Sequence, residues 1–163
     1  MELHIINPNT SRRMTEMIRS SAEQAAAFGT EIVCEGLRRG PEYADCAYDG
    51  VIVSHELVQM VQADMRMAAG YDAYVVASFA DPALDALREL TDKPVVGIAE
   101  SALHFASFFG YKFAVINTLP RLERTFEDEV RRAGASDRLA AVSFRRIAFP
   151  VSLKARRMPR QCW

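Results

Sequence analysis

Short apolar runs alternate along this chain with stretches of helical period, and turn residues cluster where one gives way to the other. Residues 3–6 are the first apolar run, and Asn7-Pro8-Asn9-Thr10-Ser11 is a turn with several candidate N-caps. Met14, Met17, Ile18, Ser21, Ala22 and Ala25 then follow at helical spacing. Residues 31–34 read as a second strand, and Gly36 to Gly50 as a loop around Gly40-Pro41. A longer helix is expected from about Val53, with Leu57, Val61, Met65 and Ala68 on one face and Gly70 as its stop. Residues 73–77 read as the third strand, 81–90 as a helix, 94–98 as the fourth strand, 101–109 as its helix and 112–116 as the fifth strand. Asn117-Thr118 leads into a helix carrying Leu119, Leu122, Phe126 and Val130 on one face. One more strand is expected within residues 142–151, and the basic stretch 152–163 matches neither period.

Several of these strands are apolar throughout rather than alternating, as happens when helices cover both faces of a sheet. The pattern predicts an α/β protein with parallel, doubly wound sheets. A length of 163 residues allows one domain or two small lobes. A formal net charge of -1 gives no reason to expect nucleic acid or an anionic membrane as partner, and it leaves a homo-oligomer open. The N-terminus lacks a basic signal-peptide region and no apolar run approaches the roughly 20 residues of a membrane span, so a cytoplasmic location is expected. Cys34, Cys46 and Cys162 show no metal-ligand spacing, and no metal site is expected.

Candidate chemistry gathers at the strand-to-helix turns, which share one edge of such a sheet. They carry Asn7, Asn9, Thr10 and Ser11 after the first strand, Ser78 and Asp81 after the third, Glu100 and Ser101 after the fourth, and Asn117 and Thr118 after the fifth. Amides, hydroxyls and helix N-terminal N–H groups suit a small ligand with carboxylate or imide oxygens. Taken singly, the same residues are ordinary helix caps. No Gly-x-Gly-x-x-Gly or Gly-Lys-Thr/Ser occurs in the first turn, so dinucleotide and triphosphate sites are not supported. Val76-Ala77-Ser78-Phe79-Ala80 is at most a degraded nucleophile elbow, so a flavodoxin-like serine hydrolase stands as an alternative. Its weakness is that nothing directs His4, His55 or His104 toward Ser78, and His4 reads as a core imidazole.

Three linked motifs resemble the Asp/Glu/hydantoin racemase family, in its hydantoin and allantoin racemase branch. They are Ile6-Asn7-Pro8-Asn9-Thr10-Ser11, the run Asp81-Pro82-x-Leu84-Asp85-Ala86-Leu87-Arg88-Glu89, and Pro94-Val95-Val96-Gly97-Ile98-Ala99-Glu100. The resemblance covers roughly residues 2 to 151 and implies two α/β lobes with the active site between them. Here that gives an N-terminal lobe over residues 1–95, a partial second lobe over 96–151 and an irregular basic tail over 152–163, as in a C-terminally truncated member. An incomplete second lobe should leave the apolar face around Leu122 and Phe126 under-covered. The implied chemistry needs no metal or organic cofactor: two cysteine thiols move a proton between opposite faces of a substrate carbon. Ser78 stands at the first of these positions, with the N–H groups behind it set to bind a substrate oxygen. Asn9, Thr10, Phe79, Asn117 and Thr118 are the implied substrate-binding residues. The family's second cysteine follows a strand beyond this sequence, and Cys162 sits in an unrelated context. The implied substrates are hydantoin-type cyclic ureides or related amino-acid derivatives, turned over at a reduced rate because an alcohol is a far weaker acid than a thiol. A non-catalytic remnant that binds a small anion or a partner is the other alternative.

Overall fold

The computed structural model of the chain describes residues 1–144. Its first strand, β1 (Glu2–Asn7), lies inside a parallel four-stranded sheet with β2 (Glu31–Gly36), β3 (Ala73–Val76) and β4 (Val95–Gly97), in the order β2-β1-β3-β4. Alternation along β1 divides the core between the two faces. Ile6 joins Val76, Tyr74 and Val95 beneath α2 (Ala47–Arg66) and α3 (Leu84–Leu90), where Val53, Leu57, Val61 and Leu87 are all but fully buried. Ile5, Cys34 and Ala77 pack on the other face, toward Ile18 and Ala22 of α1 (Arg12–Ala25). Both faces are thus covered, which explains the continuous apolar runs.

The chain leaves β1 toward β2 on one side and returns to β3 on the other. Connections diverge at that point, so a crevice opens beyond the carboxyl ends of β1 and β3. Their pairing sets Ile6 beside Val76, and the Ala77 N–H donates to the Ile6 carbonyl at 2.9 Å. The turn bearing Asn9 therefore lies next to the turn bearing Ser78.

α4 (Ile98–Phe109) follows β4 without a loop and opens a second unit. There β5 (Phe113–Asn117) pairs in parallel with β6 (Leu139–Phe144), and α5 (Glu123–Arg132) follows a short 3-10 turn at Pro120–Leu122. Leu103, Val115, Phe126, Val130 and Ala135 form its core.

Several boundaries differ from the sequence reading. α2 starts at Ala47, because Asp49 reaches back to accept the Asp45 N–H at 3.0 Å and secures a first turn that Gly50 had marked as loop. It ends at Arg66, with the left-handed turn residue at Ala68 rather than Gly70. α3 begins at Leu84 and not at Asp81, because Asp81 and Ala83 both take positive φ. α4 begins at Ile98, before Ser101. β6 starts earlier than the strand expected within 142–151, and the remainder of that stretch and the tail 152–163 lie outside the described residues.

The under-covered apolar surface also falls elsewhere. Phe126 and Val130 are buried and Leu122 is half-buried, whereas Phe105, Phe108, Phe109 and Tyr111 stand 62–83% exposed at the end of α4. Phe105 touches both Phe108 and Phe109 edge-on, so these rings form one patch. A contiguous patch of this kind attracts apolar probes. The protein is expected to enhance the fluorescence of anilinonaphthalene sulfonate, and Phe105→Lys with Phe108→Lys to remove most of that signal.

Candidate active site

Phe79 and the end of β5 face a common cavity of about 440 Å³. Its walls are mostly apolar, with Leu103, Phe113, Leu122 and Phe126 among them, and Asn117 and Thr118 supply the polar end. Phe79 meets Phe126 edge-to-face at a ring-centroid distance of 5.2 Å, which brings the turn after β3 against α5. Asn117 is 5% exposed; its Oδ1 accepts the Leu119 N–H at 2.7 Å, and its Nδ2 has no hydrogen-bond partner among the described residues. A buried donor left unpaired costs about 1–3 kcal/mol, so this amide is set to favour a ligand acceptor.

Ser78 is half-buried immediately after β3, with its Oγ 3.5 Å from the Ala80 N–H. The N–H groups expected behind it belong to no helix. Asp81 (φ 35°) and Ala83 (φ 61°) are both left-handed, and the chain turns through them before α3 can begin. The Asp81 carboxylate, 3% exposed, points across to α4 and accepts the Ala99 N–H at 3.0 Å and the Glu100 N–H at 2.8 Å. Burial pushes its carboxyl up from the ordinary range, while those two N–H groups pull it back. The Asp-Pro pair that reads as a local cap for α3 is therefore a cap for α4.

The first-strand turn is held by its own side chains. Asn9 is buried; its Oδ1 accepts from Asn7 Nδ2 and the Ser11 N–H, both at 2.9 Å, and its Nδ2 faces the Met14 sulfur at 3.6 Å. Thr10 donates to the Pro41 carbonyl through its N–H (3.0 Å) and its Oγ1 (3.3 Å). Phe79, Asn117 and Thr118 thus share the cavity, Ser78 adjoins it through Phe79, and Asn9 and Thr10 stand outside its lining.

All three histidines are engaged away from Ser78. His4 is buried with its Nδ1 2.9 Å from Asp64 Oδ2, beside the rings of Tyr71 and Tyr74. His55 is exposed on α2 near Glu56, and His104 Nδ1 lies 2.7 Å from the Glu100 carbonyl. The core reading of His4 holds, with a carboxylate partner that lies sixty residues away in sequence.

One residue near the crevice has no signal in the sequence. Glu129 shares a face of α5 with Phe126, is 7% exposed, and its carboxyl is pushed up to about 7. Burial is the main cause; Arg132 opposes it, and Asp81, Asp128 and Asp85 reinforce it.

Comparison with known proteins follows the same lines. Residues 3–160 match the family described as Asp/Glu/Hydantoin racemase. The hydantoin racemase of Paenarthrobacter aurescens is 41% identical over 142 residues, which are 87% of this chain and 60% of that protein. That of a Pseudomonas species (strain NS671) is 38% identical, over 85% of this chain and 55% of its own length. The allantoin racemase of Klebsiella pneumoniae superposes with a TM-score of 0.84 at 36% identity, covering 88% of this chain and 58% of the other. The chain spans under two-thirds of the length of each relative. With the family match running over residues 3–160 and a hydantoin racemase 41% identical over 87% of the chain, the chain belongs to the Asp/Glu/hydantoin racemase family.

Proposed function

We propose that this chain is a cofactor-independent racemase- or epimerase-type protein acting on hydantoin-type cyclic ureides or related amino-acid derivatives, with turnover reduced by the serine at position 78. The unpaired amide of Asn117 carries the reading. A buried N–H donor beside Thr118, in an otherwise apolar cavity, suits a ring carbonyl whose neighbouring carbon bears an apolar substituent. Ser78 occupies the first proton-transfer position, at the carboxyl end of β3, where this architecture places its ligands. Phe79 packs on the substrate. Asn9 and Thr10 act from the first-strand side, Asn9 by fixing its turn, since its own amide is already paired.

Proton abstraction next to a carbonyl needs a base that is ionised near neutrality. A serine hydroxyl is not, and the three imidazoles are elsewhere. The absence of an imidazole at Ser78 counts against a serine hydrolase, and the absence of an ionised base there lowers racemase turnover while leaving the ligand cavity in place. Calorimetric titration with a 5-substituted hydantoin is expected to show binding. Asn117→Leu should weaken it roughly tenfold, as losing a buried hydrogen bond does. Equal affinity in that variant would remove Asn117 from the site. No binding in the native protein would leave the non-catalytic remnant, and fluorophosphonate labelling of Ser78 would point to hydrolysis instead.

A further inference from the structure

The geometry points to Asp81 as a positioning residue that ties the turn carrying Ser78 and Phe79 to the first turn of α4, so that the reacting position is set by the junction of the two units. This rests on the reading of Ser78 as the proton-transfer position. A residue that only capped α4 would need nothing beyond its two hydrogen bonds, but three further observations fix the turn from both sides. Backbone bonds from the Asp81 N–H to the Ser78 carbonyl (3.1 Å) and from the Leu84 N–H to the Asp81 carbonyl (3.4 Å) make Asp81 the pivot of the segment. Asp81 and Ala83 are held at positive φ, a conformation that persists only when surrounding contacts over-determine it. Gly97, the last residue of β4, leaves the carboxylate its space: a Cβ there would lie 2.3 Å from both Cγ and Oδ2 of Asp81.

Glu100 completes the junction from the other side. Its Oε1 accepts the Gly97 N–H at 3.2 Å and pairs with Arg88 of α3, whose guanidinium also donates to the Val95 carbonyl. β4, α3, α4 and the Ser78 turn therefore meet around one buried carboxylate. A second consequence concerns the ligand. The N–H groups of Ala99 and Glu100 are already occupied, so a substrate oxygen is bound by other donors, Asn117 among them.

Two substitutions test this from opposite directions in a Ser78→Cys protein. Asp81→Asn removes the charge in place, and Gly97→Ala displaces the carboxylate without changing any charge. Iodoacetamide labelling is read on the high-pH plateau of each variant's own profile, where its thiol is fully ionised, so that it reports the exposure of the turn and not the acidity that the Asp81 charge affects. Both variants should speed labelling of the introduced cysteine roughly fivefold or more, the opening expected when a buried charge-assisted hydrogen bond is lost. Cys46, at the head of α2, serves as the unchanged reference. An unchanged rate at position 78, with faster amide exchange confined to Ala99 and Glu100, would overturn the proposal and leave Asp81 a helix cap.

Native-state amide exchange of the unmodified protein decides the matter should either variant not fold. The Asp81 N–H, bonded to the Ser78 carbonyl, should open with those of Ala99 and Glu100 as one unit, and independent opening would count against the link. None of these readouts uses a substrate. Failure here is therefore separate from failure of the hydantoin reading, which the Asn117 titration tests.

Discussion

Glu129→Gln should make the protein more stable above pH 7 and flatten its stability profile between about pH 4.5 and 7. The folded carboxyl is raised to about 7 from 4.5, so over that interval the folded state holds a proton the unfolded state has lost. Its contribution is complete below the unfolded value and is lost as pH rises through the folded one. A shift of that size corresponds to about 3 kcal/mol, and the amide, which never ionises, escapes the loss. Arg132 compensates little, because its side chain is 68% exposed. Asp81 is shifted in the same direction, so the native slope has more than one source. The difference between native protein and variant isolates Glu129. Urea melts at pH 5 and pH 8 read it directly, and equal differences at the two pH values would show that Glu129 ionises like a surface carboxylate.

What the sequence reveals of the fold is whatever depends on near neighbours. The strand cores at Ile5, Ile6 and Val76 follow from continuous apolar runs, as a sheet covered on both faces allows, and the face Val53, Leu57 and Val61 follows from the helical period. Misplaced boundaries have long-range causes. Asp81-Pro82 has the form of a cap with proline in the first turn, yet its carboxylate serves N–H groups eighteen and nineteen residues onward. Gly50 and Gly70 both suggest breaks, but Asp49 secures the start of α2, and Ala68 rather than Gly70 takes the left-handed position after it.

The candidate site divides in the same way. Ser78, Asn117 and Thr118 are legible as candidates because open α/β sheets place ligands at the carboxyl ends of their strands, whereas Phe79 enters only through the family resemblance. The cavity itself is invisible in the sequence, since Leu103 and Phe126 reach it from helices whose packing no local pattern states. Glu129 reads as one more surface charge on α5, and its burial, with Asp81 and Asp85 near enough to raise its carboxyl, depends on packing that no local pattern states. Asn9 errs in the other direction. The resemblance implies that it binds substrate, but its amide oxygen is taken by Asn7 and the Ser11 N–H and its nitrogen faces the Met14 sulfur of α1.

Ser78→Cys is expected to raise exchange of the substrate Cα proton with deuterium by roughly 10²-fold or more, in line with what a positioned acid–base group contributes. The gain should come without matching loss of optical rotation. One base serves one face, and the described thiols are not placed to serve the other: Cys34 is buried at the α1 face of the first sheet, with its sulfur 3.6 Å from the Thr15 carbonyl, and Cys46 sits beside Asp49 at the head of α2. The pH dependence is the sharper test. A thiol at a helix N-terminus is acidified, but α3 starts at Leu84, beyond two left-handed residues, and the first free N–H groups of α4 belong to Asp81. The nearby Asp81 charge opposes ionisation as well. The introduced thiol should therefore titrate at or above about 8.5, the value of a free cysteine, and exchange should still be rising at pH 8. A plateau already reached at pH 6 would mean that N–H groups do converge on position 78, and this account of the turn would fail.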